Sequence, residues 1–575
     1  MINPLSRPDV KLLCPKDSSN TAARLRAILA SSLANMQLKP NSPSEVIAAI
    51  QAIEDRADRC FENLEVYSFP KGLASWAILV RLVLWTEQLR QEHGYKNYDV
   101  NLINFSKRGA LALWWVQERC GRSTLHPQDY RWTPSLASAV DQALAVAASY
   151  QVFLDFFPMW HQNLQFAELL SENTVRFTVP GGAPARRVSA FQKGFTPASA
   201  RVPDTGLMLT AVQERARDAA CSRCFWSDTA AIRYAEPLDL YESLFPSHLD
   251  RLNTEFRRGD SVVAGPYTLG DLKRAYAALN TVCSAHEDFC YRLGLKYEYP
   301  VNSCVMVRTR DEWSALFSRI ASLEQAKCSA IIVDLTLSDR LWDLHVHPFV
   351  QVNGEFLAVA PQFPLHARAD ENILRVCGHR RRSCFDQASR SKEQEVLDDL
   401  LAVCPQSFSP SILIHLRNDL PDIDLLLADE DSQAVMVVEL KWLRKPSVEW
   451  KERIHRKEDF ETGPQQLSDI RTFLTQHPEF LFRQGHLKGP LNEYREVAFA
   501  LVARDYFLWP DEENVIVADY EIFKEALSRT ASLQKLIEKL RTYDWLPVEG
   551  KDFRVVFERT AVNGVMIESE TFYRI

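Results

Sequence analysis

Four residues in the second half of the chain carry chemistry at a spacing that suits work on a phosphate ester: Asp422, Asp424, Glu439 and Lys441. They lie in two apolar runs, Pro421-Asp422-Ile423-Asp424-Leu425-Leu426-Leu427 and Val437-Val438-Glu439-Leu440-Lys441-Trp442, with a polar stretch between. Strand side chains alternate between faces. Glu439 and Lys441 therefore share a face of the second strand, and Asp422 and Asp424 share a face of the first. A hairpin closed with Asp429 opposite Ala434 leaves Glu430–Gln433 as a four-residue loop, a favoured length. That register sets Asp424 opposite Glu439 and Asp422 opposite Lys441, with opposed Cβ atoms about 5 Å apart. Two carboxylates that close repel each other, and a divalent cation between them removes the conflict. Oxygen-only donors predict Mg²⁺ or Mn²⁺ rather than Zn²⁺. A lysine beside such an ion can orient or activate a water and neutralise charge building on a phosphate.

Pro421-Asp422-x-Asp424 followed by Glu439-x-Lys441 resembles the PD-(D/E)XK nuclease superfamily, the fold of many restriction endonucleases. The resemblance implies a metal held by the first Asp, by Glu439 and by the main-chain carbonyl of Leu440, with Lys441 assisting the attacking water. The literal spelling of the motif favours Asp422 as that first Asp. The register favours Asp424, which directly precedes the apolar run and faces Glu439, and Asp424 is preferred. Members often carry an acidic residue or Gln on the first helix, ahead of an apolar i, i+1, i+4, i+5 pattern. Val396-Leu397 and Leu400-Leu401 form that pattern, with Gln394 two residues ahead and Glu393 beside it. The helix after the Glu-x-Lys strand often presents a Gln, and Gly463-Pro464-Gln465-Gln466-Leu467 supplies Gln466 as the preferred candidate. The resemblance spans roughly Ser391–Tyr520. Glu-x-Lys alone marks many exposed, salt-bridged strands; its company with an Asp on a neighbouring apolar strand and helices in order on both sides carries the argument.

The elements that must position these residues read as a helix at Lys392–Val403, strands at Ile412–Leu416, Ile423–Ala428 and Ala434–Lys441, and a helix at Pro464–Gln476 opened by Gly463-Pro464. Strands at Val497–Ala503 and Val515–Asp519 follow, then helices at Phe523–Arg529 and Leu533–Thr542. This order predicts a restriction-endonuclease-like α/β sandwich with a mixed sheet over 391–575. Just upstream, Arg375–Lys392 holds six cations against the single acid Asp386. It reads either as a solvated connector or as a phosphate-contacting segment, with Arg380, Arg381 and Arg382 as candidate nucleic-acid contacts alongside Gln466.

The earlier chain predicts a mostly helical N-terminal region over 1–178 and a mixed α+β middle region over 207–370. Val46, Ile47, Ile50 and Ile53 recur at helical spacing after Ser42, a candidate N-cap, and Leu136, Val140, Leu144 and Ala147 repeat the signal. Leu73–Trp85 and Gln142–Leu154 are apolar but too short to cross a membrane, so they read as core helices. Val179–Gly206, rich in Pro, Gly, Ser and Ala, reads as a linker with a short strand. Ser329–Leu335 has a buried-strand pattern, and Asn353-Gly354 within Pro348–Val359 signals a hairpin. Cys221-Ser222-Arg223-Cys224 has only Cys283 and Cys290, or Cys377, His379 and Cys384, as zinc partners, and none repeats a compact spacing; buried thiols are the preferred reading. His345 and His347 alternate on an expected strand and read as a hydrogen-bonded surface. Trp85, Trp114 and Trp115 read as core.

Bulk properties limit the function. Of 575 residues 46% are hydrophobic and 25% charged, as in folded soluble proteins. The net charge of −8 argues against wrapping nucleic acid over the whole surface and leaves room for a local basic groove. Met1–Asn20 lacks an apolar run and carries Pro4, Pro8 and Pro15, so no signal peptide is expected. Twelve Cys without a targeting signal imply reduced thiols and a cytoplasmic protein. The resulting expectation is a Mg²⁺- or Mn²⁺-dependent endonuclease whose partner is nucleic acid, DNA in preference to RNA, with no membrane. The N-terminal region would serve homo-oligomer formation or partner proteins. For a bacterial source, a nuclease joined to a large unassigned module fits restriction or antiviral defence. The alternative is a non-catalytic nucleic-acid-binding or assembly module that keeps the fold.

Overall fold

The computed structural model describes residues 44–93, 98–121, 125–161, 165–178, 182–192, 210–227, 231–296, 299–338, 343–367, 369–442, 450–504 and 515–575. Ser42 lies outside them.

The apolar runs of the first third form helices that bury one another: α1 (Ser44–Ala57), α2 (Lys71–His93), α3 (Tyr98–Arg119) and α4 (Pro134–His161). Leu73–Trp85 and Gln142–Leu154 fall inside α2 and α4, and Trp115 is fully buried against Phe61 and Tyr150. No helix among the described residues is long and apolar enough to cross a membrane. After α4 the chain makes β1 (Phe166–Ser171) and β2 (Thr174–Thr178), then α5 (Gly182–Gln192) where the sequence reads as a linker. Val188 and Ala190 of α5 are buried, which accounts for an ordered helix there, while 193–206 lie outside the described residues.

The middle region adds α6 (Ala211–Ser222), α7 (Leu238–Glu255), α8 (Leu269–Lys296), α9 (Arg310–Ala321) and α10 (Gln325–Asp334). Ser329–Leu335 is thus mostly helix, not strand. Cys328, Ile331, Ile332 and Leu335 are buried while Val333 is exposed, a helical periodicity hidden in a short apolar run. The expected hairpin forms from Val350–Asn353 and Phe356–Val359 around Gly354, whose φ of +47° suits a residue without Cβ. His345 and His347 are not a strand surface. Both are buried, with His347 Nδ1 against the Asp334 carbonyl at 2.9 Å and His345 Nδ1 against Asp343 at 3.3 Å. One continuous core, from Ile50 to Ala388, joins the helical and mixed regions into one body, where the sequence suggested two.

Helices α11 (Ala369–Arg380) and α12 (Arg382–Val403) lead out of it. The first half of α12 places Cys384 and Ala388 in that core; the second half places Val396, Leu397 and Leu400 in the next. The next body is a five-stranded sheet in the order β3 (Ser409–Ile414), β4 (Ile423–Asp429), β5 (Ala434–Trp442), β6 (Glu496–Arg504), β7 (Val515–Asp519). The pairs β3–β4 and β4–β5 are antiparallel, and β5–β6 and β6–β7 are parallel. Side-chain alternation splits its core in two. Leu426, Val437 and Leu501 face α13 (Trp450–Gln476), with Leu467 and Ile470 packing on them. Leu425, Val438 and Ala500 face α12, α14 (Tyr520–Arg529) and α15 (Leu533–Thr542). The result is a mixed sheet between helical layers.

The end of the chain leaves this body. In β8 (Phe553–Val562) and β9 (Val565–Arg574), the second strand pairs in parallel with β2, giving a sheet in the order β1-β2-β9-β8. A span read as one domain over 391–575 therefore ends on the N-terminal body, with Val562, Val565 and Ile567 in its core.

Candidate active site

Asp429 pairs with Ala434 and the loop is Glu430–Gln433, as the sequence predicts. The loop is tied by Asp429, whose Oδ1 accepts from the main-chain N–H groups of Asp431 and Ser432, and by the left-handed Gln433 (φ +50°). From that turn the β4–β5 ladder runs back to Leu425 opposite Val438 and stops, although both strands continue. Beyond that point β4 holds to β3 through Ile423 opposite Ile414, and β5 holds to β6 through Trp442 opposite Arg504. The sheet is therefore split between β4 and β5, and the motif residues sit in the split.

Asp424 bridges it. Its Oδ2 accepts from the main-chain N–H of Leu440 at 2.7 Å, replacing a ladder hydrogen bond. In an extended strand the N–H and C=O of one residue point to the same edge, so the Leu440 carbonyl also faces the Asp424 side. Glu439 is 4% exposed. It accepts from Lys441 Nζ at 2.8 Å, and Lys441 also donates to Gln466 Oε1 on α13. Gly463, one helical turn earlier, lets α13 come this near: a Cβ there would stand 2.6 Å from Leu501 Cδ1 and 3.4 Å from Lys441 Cε. The Gly-Pro pair read as a helix start has this different use. The helix begins earlier, at Trp450, and carries Pro464 inside it.

The electrostatics are those of a crowded carboxylate pair. Burial, then the charge of Glu439, pushes the Asp424 carboxyl well above the ordinary range, against the Leu440 hydrogen bond, Lys441 and with a further push from Glu393. Burial also pushes Glu439 up, opposed by Lys441 and reinforced by Glu393. Glu393 is exposed on α12, and its charge reaches both carboxylates. Gln394 instead donates along its own helix to Asp398 at 3.2 Å. Asp422 is not opposite Lys441: it is exposed and takes His415 Nδ1 at 2.7 Å, outside the split that Asp424 bridges. Asp424, Glu439, Lys441, Gln466 and Glu393 are thus brought together, and Asp422 and Gln394 are not.

One feature of the site had no signal in the sequence. Ile412 and Ile414 pair with Leu425 and Ile423, so Leu413 stands across from Asp424, and it has φ +50° and is 52% exposed. A left-handed backbone costs a residue with a Cβ about 1–2 kcal/mol. Leu is among the residue types least expected there.

The basic run has internal partners. Arg381 pairs with buried Asp334 at 2.8 Å, Arg380 donates to the Thr336 carbonyl, Arg375 to Asn372, and Lys392 to Glu395 at 2.9 Å. Arg390 is exposed, and the side chain of Arg382 lies outside the described residues. This favours the connector reading over phosphate contact at Arg380 and Arg381. Burial pushes the Cys221 and Cys224 thiols up to about 12 and about 11, which keeps them protonated. No group of three or more His, Cys, Asp or Glu side chains with metal-binding proximity occurs among the described residues. A metal at the split sheet would thus rest on two carboxylates completed by main-chain oxygen. Comparison with protein families, curated proteins and solved structures finds no match for the chain.

Proposed function

We propose that the split between β4 and β5 is the active site of a metal-dependent nuclease that hydrolyses phosphodiester bonds of DNA, on a restriction-endonuclease-like sandwich. The observation that carries the reading is the convergence, on one face of the sheet, of buried Glu439 and half-buried Asp424 with a lysine held against Glu439. Buried like charges are costly unless neutralised. A proton or a cation can do this, and the donors available are all oxygen: Asp424, Glu439 and the carbonyl of Leu440. That set fits Mg²⁺ or Mn²⁺. A divalent ion there supplies Lewis-acid polarisation of the phosphodiester.

The chain's own groups do the rest. Asp424 is fixed by the Leu440 N–H, so its second oxygen is left to face the split. Lys441 brings a positive charge to where a phosphorane-like oxygen develops charge. Gln466 orients the ammonium from the helix above. Glu393 adds a carboxylate at the rim, able to take a proton from water.

Incubation of the full chain with supercoiled plasmid, linear duplex, single-stranded DNA and RNA, in Mg²⁺, Mn²⁺ and EDTA, tests the proposal. Cleavage of DNA with either metal, lost in EDTA and in Asp424→Asn, is expected. Binding without cleavage on every substrate would select the non-catalytic module, and cleavage confined to RNA would change the substrate class.

A further inference from the structure

In the N-terminal body, α2, α6, α7 and α8 bound a cavity of about 300 Å³ lined by none of the split-sheet residues. That is the lower end of the size range of small-molecule sites, and a space between helices is a common place for one. Leu240 and Leu244 give it an apolar wall. Apart from Ala285 the remaining lining is charged or polar, and three of those groups lack a close partner.

Glu287 is the first. It lies deep among the helices yet keeps accessible surface, which it does by facing the cavity. Its carboxyl has no hydrogen bond or ion pair among the described residues, and the neighbouring charges of Arg90, Glu87 and Asp288 act on it only at a distance. Burial pushes it up to about 7. The second is His248, 6% exposed, whose Nδ1 has no hydrogen-bond partner. Burial and Arg251 bring it down to about 4, so it is a neutral imidazole. The third is Arg217, whose buried Nε makes no hydrogen bond and stands 3.7 Å from Asp288. Asp288 is itself closer to Arg292, at 3.0 Å.

Buried polar groups in folded proteins are nearly always satisfied, and each orphan costs about 1–3 kcal/mol. Two buried atoms without a hydrogen bond, His248 Nδ1 and Arg217 Nε, beside an unpaired Glu287 carboxyl facing the same cavity, are better explained by a missing occupant than by separate faults. Their chemistry specifies it. A carboxyl asks for N–H donors, a guanidinium for an anionic or carbonyl oxygen, and an apolar wall for a carbon body between them.

We infer that this cavity binds a small amphoteric molecule, with Glu287 taking its N–H donors and Arg217 its anionic or carbonyl oxygen. A free amino acid and a nucleoside or its monophosphate both present that chemistry, and the test separates them. Thermal unfolding of the full chain in EDTA is measured with each standard amino acid, and separately with each common ribonucleoside and 5′-monophosphate, at millimolar concentration. At least one compound should raise Tm by ~2 °C or more. Glu287→Gln and Arg217→Gln should each abolish that shift, while Asp424→Asn keeps it. In the ligand-free protein Glu287→Met should raise Tm, because it removes an orphaned carboxyl and fills the space. No shift with either panel, or a shift that survives both Gln variants, overturns the proposal. So does a lower Tm in ligand-free Glu287→Met, since Glu287 would then be a satisfied structural group.

Discussion

The main-chain N–H of Leu440 donates to Asp424 Oδ2 at 2.7 Å, at the point where the β4–β5 ladder gives way. This one bond holds a carboxylate against its electrostatic preference. It also separates two effects that a simple alanine substitution would merge. Asp424→Ala removes the repulsion with Glu439 but orphans a main-chain donor, at about 1–3 kcal/mol. Asp424→Asn removes the charge and keeps an acceptor. Asp424→Asn is therefore expected to melt above wild type without metal, and Asp424→Ala at or below it, with both devoid of cleavage. Urea unfolding in EDTA beside a plasmid assay checks this, and activity in either variant would remove Asp424 from the site.

The same pair predicts a pH dependence. The ordinary value of an Asp carboxyl is 3.8, and burial and Glu439 raise it in the native state. Between those two values the native protein keeps a proton that the unfolded chain has released. Stability of the metal-free protein should therefore fall as pH rises through that window and level off above it. Glu287 is also raised and adds its own slope, so the informative quantity is wild type minus Asp424→Asn, melted from about pH 4 to pH 8. That difference should shrink on adding Mn²⁺, which takes the proton's place. A difference that does not vary with pH would mean the carboxylates are not coupled.

Leu413 offers a test of strain. Its backbone is left-handed and its side chain exposed, so little packing is lost on truncation. Leu413→Gly relieves the strain; Leu413→Ala keeps it. The Gly variant should be the more stable of the two by about 1 kcal/mol, the reverse of the usual order within a strand. Equal stabilities, or Ala ahead, would show that the residue is not held left-handed in solution.

Arg381 tests the basic run. It is the ion-pair partner of Asp334, which also accepts from Tyr267 at 2.6 Å in the core. Arg381→Ala strands a buried carboxylate and should cost about 2–3 kcal/mol of stability. The slope of DNA affinity against salt should be unchanged. A slope reduced by about 0.9 with stability intact is the signature of a lost phosphate contact and would restore the phosphate-binding reading.

The legible parts of this protein are its local ones. The hairpin from Leu425 to Val438 could be placed to the residue because alternation and a four-residue loop admit few registers, although the pairing expected beyond it, Asp422 opposite Lys441, does not form. Leu533–Thr542 and Val515–Asp519 were readable for similar reasons. The failures are non-local. Nothing in Val565–Arg574 announces a partner strand at Thr174–Thr178, and nothing in the middle region shows that it shares a core with the helices before it. Ser329–Leu335 failed because seven mostly apolar residues fit a strand or a helix equally well, and only burial of Ile331 and Ile332 beside an exposed Val333 decides. At the site, types and order were readable and the register already preferred Asp424; what could not be read is that the ladder splits there and leaves Asp422 exposed against His415.

Lys441 separates catalysis from binding. Its ammonium is held between Glu439 and Gln466 on the face of the split, so under the proposed function it would meet one phosphate and not the length of the backbone. A preorganised charge of this kind matters most where charge develops, in the transition state. Lys441→Ala should lower the single-turnover cleavage rate by about 10²-fold or more, on the scale of losing one such group. Binding of uncut DNA in Ca²⁺ should change little, because one contact among several is a small part of affinity. Lys441→Gln keeps most of the length but not the charge and should behave like Ala. Gln466→Ala leaves the ammonium in place but less well oriented, so its loss of rate should be smaller and in the same direction. Rates and binding isotherms measured together on all three variants decide the matter. Affinity that collapses while the rate at saturating protein stays normal would make Lys441 a binding residue and refute the role assigned to it.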